Sequence, residues 1–269
     1  MPLLRVHRPP GSHLRLARAG FRRYAGYRAA TIAGLVTNTT FGLLRASVLL
    51  AMIAGRGGTA GYDAAATVTY VWLGQGLLAV VSFWSGYDLA ERVRSGDVVV
   101  DLARPWNLQA ALLTEDLGRA WYHVLTRFLP PMTIGALLFG LRWPERPSTW
   151  FLFAGSVLLA VVVSFGLRFL LCLTAFWLLD TRGVIAVYGM AVGSLAGLAV
   201  PLSFYPDWAI TALWCTPFPA LLQSPIDVFL EHGDPWLLLA HQALWAVLVL
   251  AAGRLVQRAG ERKLVVQGG

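Results

Sequence analysis

The chain has 269 residues, 57% of them hydrophobic and 13% charged, with a mean hydropathy of +0.61, which is more apolar surface than one water-soluble core of that length buries. Composition therefore reads as an all-α polytopic membrane protein with room for about six crossings at roughly 20 apolar residues each, and excludes a separate soluble domain. The net charge of +8 sits beside apolar segments, which points to anionic lipid headgroups as partner and not to nucleic acid.

Residues 1–30 hold seven arginines, Arg5 to Arg28, and no acid. From Leu14 onward a helix gathers Leu14, Ala17, Phe21 and Tyr24 on one face with arginines beside it, the pattern of an amphipathic interfacial helix on an anionic leaflet. A cleavable signal peptide is the competing reading; the basic region is too long and the next apolar run too extended for it. The first span is expected at residues 31–54. There Thr31, Asn38 and Arg45 recur every seven residues along one stripe. Such a stripe in lipid faces protein or water, so it either staples helices or lines a cavity.

A second span is expected at residues 64–84, interrupted by Gly74-Gln75-Gly76, where Gln75 can bond across helices. Residues 85–120 then form a polar island with six of the fourteen acids: Asp88, Glu91, Asp97, Asp101, Glu115 and Asp116. Within it Ser95-Gly96-Asp97 offers a turn and an N-cap, Val98 to Leu102 apolar contact, and Arg104-Pro105 a helix stop. That is the make-up of a short docking helix, with a solvated loop as the plainer reading. The third span, residues 121–141, carries Pro130-Pro131, which removes two backbone donors and predicts a kink.

The fourth apolar run, residues 149–179, exceeds a bilayer crossing and contains Arg168 near one end. The fifth span is expected at residues 184–202, where Gly189, Gly193 and Gly197 repeat every four residues and would let another helix approach closely. Residues 203–235 hold five prolines, four acids and no lysine or arginine, and their apolar runs are too short to cross; short helices dipping into the outer interface are expected. A sixth span at residues 236–253 leads into a basic tail, residues 254–269.

With both termini cytoplasmic, 16 of the 22 basic residues fall on the cytoplasmic side, as the positive-inside rule favours, and the island is cytoplasmic. On this map all fourteen acids lie in loops or termini, which weakens an ion-coupled carrier, since that needs an intramembrane carboxylate. Lys263, the only lysine, is followed by Leu264, so no Walker A loop is present and the chain has no ATPase site of its own. No HExxH or GxSxG motif occurs, and Cys172, Cys215 and the five histidines lack metal-ligand spacing, so neither catalysis, a disulfide nor a metal site is read.

The run Ser95-Gly96-Asp97-Val98 through Asp101-Leu102-Ala103-Arg104-Pro105-Trp106-Asn107, with Pro217-Phe218 and Ser224-Pro225, resembles a six-helix permease branch of the ABC-2-type ABC transporter family along nearly the whole chain. The resemblance implies a transmembrane permease subunit in the plasma (inner) membrane that dimerises with a like or related permease. Each half would bind an ATPase subunit, and ATP and Mg would sit on that partner. It implies coupling through residues 96–107, with Gly96, Asp97, Asp101, Leu102, Arg104 and Pro105 as the coupling set. It further implies a translocation path bordered by Asn38, Arg45 and Gln75, and a helix-packing or dimer stripe at Gly189, Gly193 and Gly197. Export is the expected activity, with a non-transporting scaffold that docks a soluble partner as the alternative.

Overall fold

The computed structural model describes residues 12–54, 61–104, 106–178 and 180–267, with side chains through Lys263. Every regular element among them is helical. Four helices are long and apolar enough to cross a membrane: Arg28–Ile53, Ala64–Val81, Pro147–Phe176 and Pro235–Lys263.

The amphipathic pattern yields α1, Ser12–Ala25. It does not lie alone on a surface, since its chief neighbour is α6, Leu108–His123. Two glycines let the backbones touch. A Cβ on Gly118 would stand 1.9 Å from the Ala17 carbonyl oxygen, and one on Gly20 would stand 2.0 Å from that of Glu115. Phe21 then meets Tyr122 edge-on at 5.3 Å and Tyr24 meets His123 at 5.2 Å. Ala17, Phe21 and Tyr24 of the expected apolar face are thus spent on protein contact, while Leu14, Arg15, Arg18 and Arg22 remain exposed.

After α1 come α2 (Arg28–Ile53) and α3 (Ala64–Val81). Asp63 caps α3 by accepting from the Ala66 amide at 2.7 Å. Gly74-Gln75-Gly76 does not interrupt α3, contrary to expectation; the helix runs through it and ends at Ser82, which is left-handed at φ 64°. The physical reason is packing: Phe128 sits against Gly76, so the missing side chain is a seat for an aromatic ring and not a break. Helix α3 is the buried axis of the fold, with Tyr70, Val71, Trp72 and Leu73 fully enclosed. Large apolar side chains of α2, among them Ile32, Val36, Phe41 and Val48, face outward, as lipid or another subunit requires.

The polar island is mostly helix. It contains α4 (Asp88–Ser95), α5 (Val98–Leu102) and the start of α6. From residue 108 the chain stays helical to residue 139, through a π-helical turn at Val124–Phe128 into α7 (Leu129–Phe139). Pro130 and Pro131 lack donors, and the wider turn just before them takes up the mismatch, with the Leu129 amide bonding the Val124 carbonyl. The third apolar run is therefore the second half of a longer helix.

Helix α8 (Pro147–Leu173) ends in a 3-10 turn at Thr174–Phe176. Helix α9 (Arg182–Leu195) has 14 residues, about 21 Å, shorter than the expected span. The proline-rich segment forms α10 (Asp207–Trp214) and α11 (Gln223–Leu230), the latter buried against α8 and α3. Finally α12 (Pro235–Gln267) continues well past residue 253, so the described part of the basic tail prolongs the last helix. Gly253 fits against Phe169 and Gly260 against Phe176, which holds that extension to the α8 end of the bundle.

The α1–α6 contact gives a direct test. Gly118→Leu is expected to destabilise the protein by about 1–3 kcal/mol through overpacking and to expose α1 to protease, both read on detergent-solubilised protein; unchanged cleavage and melting would refute the contact.

Candidate functional site

The site begins at the end of α3. The last-turn carbonyls of a helix have no intrahelical donor, and here Arg119 of α6 supplies one. Its Nη1 donates to the Ala79 carbonyl at 2.6 Å and its Nη2 to that of Val80 at 3.0 Å. Its Nε donates to Asp116 Oδ1 at 2.7 Å, and Arg168 Nη2 from α8 donates to Asp116 Oδ2 at 2.8 Å. Arg168 Nη1 also reaches the Ser85 carbonyl at 3.3 Å. A Cβ on Gly86, which is left-handed at φ 87°, would stand 2.3 Å from that Nη1, so the turn after α3 needs glycine twice over.

Asp116, Arg119 and Arg168 are 9%, 3% and 2% exposed. Burial alone would raise the Asp116 carboxyl, but the two guanidiniums outweigh it and hold it below the usual carboxylate range. This corrects the map that put every acid in a loop or terminus. Asp116 is on a helix and buried, because it neutralises the arginine that interrupts the fourth apolar run. The signals were present: an Asp-x-x-Arg pair at helical spacing and an arginine without a local partner.

The described residues of the expected coupling set lie on α5 and in the turns that flank it. Gly96, left-handed at φ 85°, turns the chain from α4 into α5. Asp97 takes the N-cap position but makes no side-chain cap bond; instead it accepts from Ser95 Oγ at 2.7 Å. Asp101 is buried and accepts from Arg92 Nη1 at 2.6 Å, with Arg104 Nη1 3.7 Å from its other oxygen. It therefore braces α5 on α4. Leu102 packs beneath, with Leu89 and Val93. Arg104 lies over the Trp106 ring at 5.6 Å and stays half exposed. Asn107 caps α6 through the Ala110 amide at 2.9 Å. Pro105 lies outside the described residues. What the sequence reading left out is which apolar residues of α5 face outward: Val99 is 55% and Val100 62% exposed, while Val98 is buried. A five-residue helix carries too little periodicity to reveal that from sequence.

Asn38 and Gln75 meet, Asn38 Nδ2 donating to the Gln75 carbonyl at 3.1 Å. Arg45 is not beside them; its Nη2 donates to the Ala199 carbonyl at 3.1 Å, beyond the end of α9. The glycine stripe is divided. Gly189 and Gly193 are on α9 against Trp84, whose Nε1 donates to the Gly189 carbonyl at 2.7 Å. Gly197 lies past the helix end at φ 89°, so its four-residue spacing is not a helical stripe.

A second polar group sits on α11 at the opposite end of α3. Asp227 Oδ1 accepts from Tyr62 OH at 3.1 Å and from Gln223 Nε2 at 2.8 Å. Gln223 Oε1 accepts from the Leu202 amide at 3.0 Å and lies 2.8 Å from Tyr70 OH. Asp227 is half-buried on α11, one of the short helices of the proline-rich segment, which packs against α8 and α3. Burial pushes its carboxyl up to about 7, with the two donors opposing. The cavity of about 520 Å³ beside it is also lined by Trp214 and His232.

A family model described as "ABC-2 family transporter protein" matches residues 36–268. No curated protein matches the chain.

Asp116→Asn should cost about 3–5 kcal/mol by leaving two buried guanidiniums short of charge, whereas Glu91→Gln, at the exposed Arg94 pair, should leave stability essentially unchanged. Chemical denaturation in micelles measures both, and equal effects would sink the argument. Asp227 binds its proton more tightly folded than unfolded, so its contribution is full below about pH 4 and declines as pH rises through 7. Melting of the wild type relative to Asp227→Asn should therefore fall over that window, by no more than about 4 kcal/mol in all; a pH-independent difference would contradict the assignment.

Proposed function

The chain belongs to the ABC-2 family of transporter proteins, and on that premise we propose that it is an exporter permease driven by a separate ATPase subunit docked on α5. As a member of this family it is a multi-pass membrane protein and a transport component. The proposal adds six crossings: α2, α3, the helix through α7, α8, α9 with the residues that follow it, and α12. Both termini and α5 then lie in the cytoplasm, and the membrane is the plasma membrane.

The observation that carries the reading is the pair Val99 and Val100, exposed on a helix whose opposite face is fixed by Val98 and Asp101. Exposed apolar residues on a rigidly mounted helix in a polar region are what a protein partner would bury. Arg104 on Trp106 supplies a polar rim. Nothing in the sequence resembles a P-loop, so ATP and Mg would belong to the partner. The outward apolar faces of α2 and α12 fit a second permease, like or related, or lipid. Asn38, Gln75 and Arg45 remain the proposed border of the path, with the first two already bonded to one another across α2 and α3.

Val99→Glu or Val100→Glu should lower ATPase binding about tenfold, because each places a charge in a buried apolar contact. Asp101→Ala should do so indirectly, by freeing α5. The measurement is co-purification of the ATPase with the tagged chain from its native membrane, followed by ATPase stimulation in vesicles. Correctly inserted variants that still stimulate would refute α5 as the coupling element, and a wild type that brings down no ATPase would favour a scaffold.

A further inference from the structure

A cavity of about 380 Å³ opens where α2, α3 and α6 meet beside the end of α1. Among its described lining residues Arg127 carries the only charge, and no carboxylate faces it. Two buried nitrogens there lack hydrogen-bond partners: Arg127 Nε and His123 Nδ1, the latter on a side chain only 8% exposed. Thr31 and Ser82 add hydroxyls to the wall. Arg127 Nε is a buried donor without an acceptor and carries the full loss of its hydration, and the unpaired His123 nitrogen can donate in one ring tautomer, so a cationic cavity with no carboxylate calls for an anionic oxygen ligand.

The depth of the cavity narrows the ligand. Arg127 lies about 9 Å along the helix from Trp121, which is 60% exposed. Its guanidinium turns back toward the helix start, Nη2 donating to the Ala30 carbonyl at 2.7 Å near the beginning of α2. That places the charge at headgroup level. Two lining residues, Tyr27 and Trp84, are 68% and 52% exposed, as aromatic residues are at a membrane interface.

We propose that this cavity binds the phosphate of an anionic phospholipid drawn from the leaflet on the α1 side. A zwitterionic lipid would bring an ammonium group for which the cavity offers no carboxylate. The inference stands apart from the transport reading, because it needs only that the chain spans a membrane.

Native mass spectrometry of the whole protein, released from micelles doped with phosphatidylglycerol or with phosphatidylcholine of the same acyl chains, tests it. The wild type should retain phosphatidylglycerol preferentially. Arg127→Gln should cut that retention about tenfold, the loss of one charge-assisted hydrogen bond. Arg15→Gln, an exposed arginine on α1 away from the cavity, should leave it unchanged. His123→Phe keeps a ring against Tyr24 while removing the free nitrogen; it should also weaken retention, and it decides the matter if Arg127→Gln does not fold. Equal retention of the two lipids, or no change in a folded variant, overturns the proposal. Inorganic phosphate is the third arm: if it protects the wild type from thermal unfolding as well as the lipid does, and not Arg127→Gln, the lipid assignment falls.

Discussion

The structure depends on one buried carboxylate held between two buried guanidiniums. Asp116 is the only acid facing Arg119 and Arg168 at hydrogen-bond distance among the described residues, and each arginine also closes backbone carbonyls that α3 and the following turn leave open. Charge removed from water is tolerated when it is paired and its donors find acceptors. The arrangement therefore fixes more than a pair of side chains. It pins the end of α3, the turn at Ser85 and Gly86, α6 and α8 to one point, and the cytoplasm-facing helices of the proposed orientation are mounted on that point.

Helix α3 connects the two polar ends of an otherwise apolar bundle. At one end its carbonyls meet Arg119; at the other Tyr62 and Tyr70 meet Gln223 and Asp227 from the dipping segment. The two ends differ in electrostatics. Asp116 has two cations and stays ionised, while Asp227 has only neutral donors and holds its proton to about pH 7. A shift of α3 along its axis would be felt by both, because Arg119 bonds the carbonyls at one end of the helix and Gln223 bonds Tyr70 near the other.

Much of the architecture was legible in the sequence because membrane crossing writes long apolar runs: those that became α2, α3 and α8 were located within a few residues, and the start of α12 within one, though not its end. What was not legible followed from tertiary contact. The glycines of α3 read as an interruption, yet they seat a ring of Phe128. The polar island read as a loop beyond its docking helix, yet its second half is the helix that carries Asp116. Gly197 kept a helical spacing after the helix had ended. Of the expected coupling set, Asp101 is buried and braces α5 on α4, and Val99 and Val100, the exposed pair beside it, carried no periodic signal in the sequence.

That brace bears on how motion at α5 would reach the membrane. A helix of five residues has almost no stability of its own and takes its position from what holds it. Here the hold is short and charge-assisted, Arg92 to Asp101 at 2.6 Å, with Val98 fully buried beneath. Helix α4 passes the constraint to Gly86 and so to Arg168, and Arg168 to Asp116 and α6. Arg23 of α1 closes the same circuit from outside, bonding Asp88 at 2.7 Å at the start of α4. The buried links have discrete partners, so in the proposed coupling a push on Val99 and Val100 would pass from α5 to α4, and from there toward the buried charges to which α3 and α8 are tied.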